Sequence, residues 1–331
     1  MGSIWIADIP HPELTDVKIA SITNVEHLSS YNWMESSNPI IAVPGCPPPW
    51  SPPQTPRKVA KDSGLIYIAQ NAFRHSKSPL ESLFRSLYTE NPSYNIHQVD
   101  LITDRNNIRK LLSGYGHEFE KAFTTTQVSG STGHHRIISY NLGDSKFIVR
   151  YETDAYIEEA SKLQPQSVGS ENEDFLNMME NLSLSRPKLT LVLPPMIQKK
   201  GKQVPINSTL EIKTRVPHKP FNIQDVLPQL WVSQTPNLVR AYHSGGTFGL
   251  PEVKDVTREI AEWERNHGND LWRLVVLIKG IMRVVGENGG NAVVKYDGRS
   301  DSLAVLKREG SRMLPDDLYL KLGDETGSTE A

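Results

Sequence analysis

Two strand-like stretches near the middle of the chain constrain the fold most strongly. Residues 136–142 read RIISYNL, residues 146–157 read KFIVRYETDAYI, and a Gly-Asp-Ser turn at 143–145 joins them. Alternating apolar residues on either side of such a turn are typical of a β-hairpin. Alternation in the second strand places Glu152 and Asp154 on one face. The hairpin therefore brings two carboxylates together at one strand end.

A third strand-like stretch, STLEIKTR at 208–215, carries both an acid and a base. Because side chains alternate along a strand, Glu211 and Lys213 project to one side, while the apolar Leu210 and Ile212 project to the other. An edge strand with a solvated ionic face is the ordinary interpretation of such a triplet. A functional role for Glu211 and Lys213 needs support from other segments.

A helix is predicted to begin at Ser78, in the segment SPLESLFRSLY. Ser78 is the expected N-cap, Pro79 occupies the first helical position and Glu81 completes a capping box. The apolar residues that follow recur at helical spacing, which gives the helix one face for the core.

The remaining elements mix helices and strands without strict βαβ alternation. We therefore predict an α/β fold with mixed β-sheets and flanking helices. The predicted helices cover 103–123 (interrupted at Gly114 and Gly116), about 226–231, 255–266 and 271–285, and further strands cover 237–243, 291–297 and 302–307.

Composition along the chain suggests its domain organisation. Residues 1–60 include the proline-rich VPGCPPPWSPPQTP and are predicted to form an extended strap over the surface. Residues 61–322 are predicted to form a single catalytic domain. Within it, residues 161–206 form a long polar insertion, which we expect to be partly disordered. Residues 323–331 form a loose tail.

The bulk properties exclude several classes of protein. The 331 residues include 36 Lys plus Arg against 38 Asp plus Glu, so no overall basic field attracts nucleic acid, and any phosphate binding must be local. A single cysteine, Cys46, excludes a disulfide framework and indicates a reducing compartment. No secretory signal or membrane-spanning run is present, so we expect a soluble nuclear or cytoplasmic protein without a membrane partner.

Carboxylates near the ends of separate elements indicate a metal site. Glu120 lies on a predicted helix, Glu152 and Asp154 leave one strand, and Glu211 lies on another. Mg²⁺ and Mn²⁺ prefer several oxygen ligands of this kind. An Asp followed by Glu-x-Lys is the general plan of a large nuclease class, in which the lysine orients a water or stabilises negative charge.

The order of these motifs resembles the DXO family of RNA 5′-end decapping nucleases, from about residue 98 to 320. Each motif is weak alone, but all occur in the family's order with matching element types. TDRNNIRKLL is similar to the family's arginine-bearing segment, GHEFEKAF to its Gly-φ-x-φ-Glu motif, YETDAY to Glu-φ-Asp and LEIKT to Glu-φ-Lys. PQLWVSQTPNLVRAY is similar to a helix-then-strand segment in which a Gln follows bulky residues seven places before a Pro, an offset that Gln229 and Pro236 satisfy.

The resemblance implies a fold with the core of that nuclease class and a role for each matching residue. The metal ligands would be Glu120, Asp154 and Glu211, with Glu152 as a supporting or second-metal carboxylate. The resemblance also implies that Lys213 and Gln229 position the attacking water and that Arg105 binds the RNA 5′ end.

The implied activity is metal-dependent hydrolysis at RNA 5′ ends, with Mg²⁺ or Mn²⁺ as cofactor. The implied substrates are RNAs that carry incomplete or non-canonical caps or a 5′-triphosphate. The resemblance also allows 5′-to-3′ degradation of the RNA afterwards. Two alternatives stay open at this point. The first is a weakly catalytic or non-catalytic partner of a 5′-to-3′ exoribonuclease, because IQDVLP and AYH replace basic and aromatic residues of the family. The second is a nuclease of the same class that acts on DNA.

Overall fold

The computed structural model describes residues 4–10, 12, 18–36, 38–59, 78–112, 128–158, 194–295, 302–308 and 313–323. Within these ranges the chain forms three β-sheets with helices packed against them. Parallel and antiparallel pairs occur in the same sheets. The predicted α/β class with mixed sheets and flanking helices is therefore confirmed.

The largest sheet, called here the central sheet, has six strands in the order β5-β7-β6-β2-β3-β9. Its pairs β5–β7 and β3–β9 are parallel and the others are antiparallel. The strands are β2 (Ile22–Met34), β3 (Ile40–Gly45), β5 (Leu101–Asp104), β6 (Ser131–Leu142), β7 (Ser145–Glu152) and β9 (Met196–Gly201).

The second sheet positions the candidate site. Its order is β4-β12-β11-β10-β8, and β13 also pairs with β11. Strand β10 runs parallel to β11 and antiparallel to β8. The strands are β4 (Arg57–Lys58), β8 (Ala155–Tyr156), β10 (Thr209–Arg215), β11 (Asn237–Ser244), β12 (Thr247–Phe248) and β13 (Val253–Asp255).

A third, antiparallel sheet joins distant parts of the sequence. Its middle strand, β15 (Ser302–Lys307), pairs with β1 (Ile4–Pro10) on one side and with β14 (Ala292–Lys295) on the other. The predicted strands near 291–297 and 302–307 are thus confirmed within the described residues, and β1 adds a strand that the sequence did not suggest.

Helices cover both faces of the central sheet. They are α1 (Glu81–Glu90), α2 (Arg105–Leu112), α3 (Leu227–Ser233), α4 (Thr257–Asn266), α5 (Gly268–Glu287) and α6 (Asp316–Lys321). Residues of α2 to α5 pack on one face, around Tyr140, Phe147 and Trp231. Residues of α1 and α6 pack on the opposite face, around Tyr31 and Ile148. Among the described residues, no helix has both the length and the apolar composition needed to cross a membrane.

The predicted hairpin is confirmed, with β6 and β7 joined by the turn at 143–145. The predicted start of α1 is wrong. The helix begins at Glu81, not Ser78, and its N-cap is Leu80 without a side-chain cap. The Glu81 carboxylate accepts from Arg85 Nε at 2.7 Å instead of closing a capping box, and Ser78 contributes its backbone oxygen to the N–H of Glu81 at 3.1 Å. The helix predicted over 103–123 is described only for α2, because residues 113–127 lie outside the described ranges.

The beginning of the chain differs from the surface strap predicted for residues 1–60. Strands β2 and β3 lie inside the central sheet, and the second half of β2 is buried. The inward residues of β2 include Ser29, Ser30 and Asn32, whose hydrogen bonds replace the apolar pattern by which strands are recognised. The proline-rich residues 46–56 do run without a regular strand, apart from a bridge at 49–50.

The predicted insertion at 161–206 also contains regular structure. Residues 196–201 form β9, an exposed strand that pairs in parallel with β3. Residues 159–193 and the tail from 324 lie outside the described ranges. The division into a catalytic domain at 61–322 and a tail stays a prediction.

Candidate active site

Strand β10 carries the acid and the base of the Glu-x-Lys triplet. Leu210 and Ile212 pack into the core of the second sheet, as the alternation predicts. Glu211 is only 2% exposed, because side chains from α2 and α3 cover it. Strand β10 also pairs with β8 at 209–210 and with β11 along 210–215, so it is not an edge strand. The interpretation of this stretch as an edge strand with a solvated ionic face is therefore wrong. A buried carboxylate needs compensating partners, so its contacts define the site.

Three side chains from three elements donate to the carboxylate of Glu211. Arg105 Nη1, from α2, donates to Oε2 at 3.1 Å. Lys213 Nζ and Gln229 Nε2 both donate to Oε1, the first from the same strand and the second from α3. Burial alone would raise the pKa of Glu211, but the charges of Lys213 and Arg105 together lower it below its ordinary value. Glu211 is therefore ionised at neutral pH.

Asp154 lies beside this cluster, in the segment between β7 and β8. It is 6% exposed, and its Oδ2 accepts from the backbone N–H of Ile212 at 2.8 Å. Burial alone would lower the pKa of Arg105 and of Lys213, but in both cases the charges of Glu211 and Asp154 raise it. Both carboxylates therefore act on the same two cations, which places Asp154 and Glu211 in one site.

Arg105 occupies the first position of α2, directly after β5. It is buried, and its guanidinium lies over the ring of Tyr151, 5.7 Å from the ring centroid. Its Nε is buried and has no hydrogen-bond partner among the residues that the structure describes. Arg105 thus serves here as a counter-ion of Glu211, and the binding of an RNA 5′ end by this residue stays a prediction.

The amide of Gln229 lies between Glu211 and a second arginine of α2. Its Nε2 donates to Glu211, and its Oε1 accepts from Arg109 Nη1 at 2.9 Å. Sequence reasoning missed Arg109. The sequence feature that could have identified Arg109 is its position four residues after Arg105, because side chains at this spacing share one face of a helix.

Two predicted acids remain to be located. Glu152 is the last residue of β7 and pairs with His135 of β6. Because side chains alternate along a strand, Glu152 lies on the face opposite to Tyr151, whose ring contacts the Arg105 guanidinium. Its Oε1 lies 2.9 Å from the point that a Cβ on Gly133 would occupy. Its role stays a prediction. Glu120, the third predicted metal ligand, lies outside the described residues.

The described residues include two of the three predicted metal ligands, Asp154 and Glu211. In the described ranges, no group of three or more His, Cys, Asp or Glu side chains could hold a metal ion. Asp154 and Glu211 nevertheless offer hard carboxylate oxygens from adjoining elements, which is the donor type that Mg²⁺ and Mn²⁺ select. The chemistry of the pair fits a divalent cation, although both oxygens of Glu211 accept from protein donors in this structure.

The sequence was compared with models of protein families and with curated proteins. Residues 6–113 and 112–322 match the family model DUF8563, which is described as a domain of unknown function. No curated protein matches the sequence.

Comparison with solved structures relates the fold to that of Rai1. A mutant of S. pombe Rai1 in complex with 3′-FADP has a TM-score of 0.58 and 10% identity, covering 92% of this chain and 99% of that one. Scheffersomyces stipitis Rai1 with (3′-NADP)⁺ and calcium has a TM-score of 0.52 and 11% identity, covering 94% of each chain. Candida albicans Rai1 with pU5 and Mn²⁺ has a TM-score of 0.50 and 12% identity, covering 96% of each chain. At these identities the comparison establishes a shared fold.

Proposed function

The chain belongs to the DUF8563 family, and we propose that it is a divalent-metal-dependent hydrolase that acts on RNA 5′ ends. Its substrates would carry incomplete or non-canonical caps or a 5′-triphosphate. The observation that carries the proposal is the convergence of Asp154, Glu211, Lys213 and Gln229 in one buried cluster. The shared fold with Rai1, of which one structure contains pU5 and Mn²⁺, supports the same proposal. Its place of action would be the nucleus or the cytoplasm.

Asp154 and Glu211 would hold the metal ion, with Glu120 as the third ligand expected from the sequence. A bound Mg²⁺ or Mn²⁺ supplies Lewis-acid chemistry, since it lowers the pKa of a coordinated water and offsets phosphate charge. Lys213 keeps a positive charge beside Glu211, where it can stabilise negative charge developing on a phosphate. The Gln229 amide orients the Glu211 carboxylate through its N–H. Glu152 is the supporting or second-metal carboxylate expected from the sequence, although it lies on the face of β7 opposite to Tyr151.

Both arginines of α2 bring positive charge to the same place. Arg105 is paired with Glu211, and Arg109 is paired with Gln229. With Lys213, three cationic side chains of the described residues lie around Asp154 and Glu211. They would supply donors for a phosphate group at the site, although the whole chain carries a formal charge of −2.

The test is hydrolysis of triphosphorylated and capped RNA in the presence of Mn²⁺. Wild-type protein should release product, and Asp154→Asn and Glu211→Gln should each lower kcat by at least about a hundredfold, because each removes a charged oxygen ligand. Asp270→Asn, which alters an exposed carboxylate of α5, is the matched control and should keep wild-type activity. Equal product traces from the wild type and Asp154→Asn would refute the catalytic role. Single-stranded DNA digested in parallel tests the DNA-directed alternative.

A second candidate function is a non-catalytic partner of a 5′-to-3′ exoribonuclease. The observation that favours it is the occupation of both Glu211 oxygens by Arg105, Lys213 and Gln229, so that a metal ion must compete with the protein's own donors. Calorimetric titration with Mn²⁺ distinguishes the two candidates. Binding that is lost in Asp154→Asn supports the hydrolase, whereas absence of binding to the wild type supports the partner role.

A further inference from the structure

The side chains of α2 approach the site at two points, one helical turn apart. Arg105 and Arg109 are separated by four residues and therefore lie on the same face of the helix. Arg105 Nη1 reaches Glu211 Oε2 at 3.1 Å, and Arg109 Nη1 reaches Gln229 Oε1 at 2.9 Å. Because Gln229 in turn donates to Glu211, the two arginines act on the same carboxylate, Arg105 directly and Arg109 through the amide.

The chemistry of its two neighbours determines which way the Gln229 amide points. A guanidinium only donates hydrogen bonds, so the atom that faces Arg109 must be the carbonyl oxygen Oε1. An ionised carboxylate only accepts, so the atom that faces Glu211 must be Nε2. Rotation of the amide by half a turn would bring two acceptors together at Glu211 and two donors together at Arg109. The observed orientation therefore satisfies both contacts at once.

The position of Arg109 has an electrostatic cost. Burial lowers the pKa of Arg109, the positive charge of Arg105 lowers it further, and the negative charge of Glu211 partly opposes this. A guanidinium is nevertheless charged at any physiological pH. Two like charges one turn apart repel, so a contact made in spite of this repulsion needs acceptors that favour it, and Gln229 Oε1 is such an acceptor.

We propose that Arg109 is a positioning residue, which holds Oε1 of Gln229 and thereby keeps Nε2 of Gln229 on the Glu211 carboxylate. The importance of this arrangement for catalysis rests on the proposed function, in which Glu211 holds the metal ion. The orientation of the amide is a property of the folded chain and can be tested whether or not the protein hydrolyses RNA. In this proposal Arg109 acts through Gln229 and does not contact the substrate.

The first experiment observes the amide directly. Full-length protein labelled with ¹⁵N-glutamine gives side-chain amide signals, and the Gln229 pair is identified by its loss in Gln229→Met. In the wild type these protons should exchange slowly with water, because the amide is buried and donates to a carboxylate. In Arg109→Met exchange should accelerate about tenfold or more, and in Arg109→Lys, which retains one donor, the change should be smaller. Arg258→Met, at an exposed arginine of α4, should leave the signals unchanged.

The second experiment measures hydrolysis of triphosphorylated RNA with Mn²⁺ by the same variants. Arg109→Met should lower kcat about tenfold, equivalent to about 1.4 kcal/mol of the activation barrier, with KM changed less than about threefold. Arg109→Lys should recover part of the loss. A tenfold rise of KM at constant kcat would overturn the proposal, because it would make Arg109 a substrate-binding residue.

The two experiments separate failure of this proposal from failure of the proposed function. If the wild type hydrolyses no RNA, the proposed function fails, but the exchange measurement still tests Arg109. If the Gln229 protons are unprotected in the wild type, or exchange equally slowly in Arg109→Met, Arg109 does not position the amide and the proposal is overturned. Unchanged signals from the other glutamines show that Arg109→Met is folded.

Discussion

At the scale of single residues, Asn32 shows how a polar side chain can be part of a sheet interior. Its Oδ1 accepts from the N–H of Cys46 at 2.7 Å and contacts His134 Nδ1 at 2.9 Å. Its Nδ2 donates to the backbone oxygen of Cys46 at 3.0 Å and to Ser131 Oγ at 2.6 Å. The amide thus uses both its oxygen and its nitrogen twice and connects β2 to β6 and to the end of β3. A buried amide whose oxygen and nitrogen are both satisfied in this way makes the neighbouring positions intolerant of change.

Gly45→Ala should be strongly destabilising. Gly45 has a φ of +65°, and an added Cβ would lie 1.9 Å from Asn32 Oδ1. We expect a loss of at least about 2 kcal/mol in the free energy of unfolding, from strain and disruption of the Asn32 network together. Urea denaturation measures it. Gly249→Ala is the matched control, because a Cβ there meets no atom within 4 Å, and it should change stability by less than about 0.5 kcal/mol. Equal midpoints for both variants would contradict this account.

The buried histidines should make the protein less stable in acid. Burial and the charge of Arg136 lower the pKa of His27 from 6.5 to about 3. The folded protein therefore keeps His27 neutral where the unfolded chain takes up a proton, so stability is lost as the pH falls from 6.5 towards 3. The slope is up to about 1.36 kcal/mol per pH unit for one histidine. His27→Gln retains an acceptor for Arg136. It should make the unfolding free energy fall less steeply with decreasing pH, because one fewer proton is taken up on unfolding. Urea unfolding at pH 5, 6 and 7 tests it, and identical slopes for both proteins would exclude the mechanism.

At the scale of elements, Ile108 packs α2 against the core and thereby helps to hold the arginines of the helix in place. Ile108 is 2% exposed and belongs to the core on that face of the central sheet, whereas Leu111 is 40% exposed. Ile108 lies between Arg105 and Arg109 in the sequence. Its packing therefore fixes the turn of the helix from which both arginine side chains project.

Ile108→Ala should lower the free energy of unfolding by about 2–4 kcal/mol, because it removes buried methyl groups and leaves a cavity. Leu111→Ala, in the same helix, should cost less than about 1 kcal/mol, because its side chain is already partly in water. Chemical denaturation of the two variants provides the comparison. The expectation fails if the two substitutions cost the same.

The elements that could be predicted from the sequence are those with a dense apolar pattern or a clear turn. Strands β6 and β7 contribute apolar residues to both faces of the central sheet, and the turn at 143–145 specifies the hairpin. Strand β10 presents Leu210 and Ile212 on one face. Strand β2 could not be recognised, because the polar Ser29, Ser30 and Asn32 interrupt its buried apolar residues and have hydrogen-bond partners in other segments. The same limit applies to the site. The spacing of Glu211 and Lys213 is visible locally, but Arg109 contacts a glutamine 120 residues away, and only the folded chain brings them together.

At the scale of the whole molecule, the three sheets connect segments that are far apart in sequence. Strand β2 pairs with β6 across about 100 residues, and β1 pairs with β15 at the other end of the described chain. The third sheet packs against α5, and Val305 in its middle strand is fully buried. The first strand is therefore an integral part of the structure.

Removal of residues 1–10 should destabilise the protein. The deletion takes away the partner of β15 and the buried Ile9, and it exposes the side of α5 that β1 covers. We expect a loss of about 2–3 kcal/mol, which corresponds to a fall in Tm of roughly 3–4 °C for a chain of this length. Trp5→Ser is the control, since that side chain is 59% exposed and its replacement should have little effect. A deletion variant with an unchanged Tm would show that β1 is dispensable.

The pairing of β1 with β15 has a consequence for biosynthesis. On the order of 300 residues separate the two strands, and a ribosome adding roughly 5–20 residues per second needs on the order of 15–60 s to make them. Throughout that time β15 is not yet available to β1, so Ile9, which is buried in the folded protein, stays accessible to chaperones. Strand β1 thus leaves the ribosome long before the strand with which it pairs.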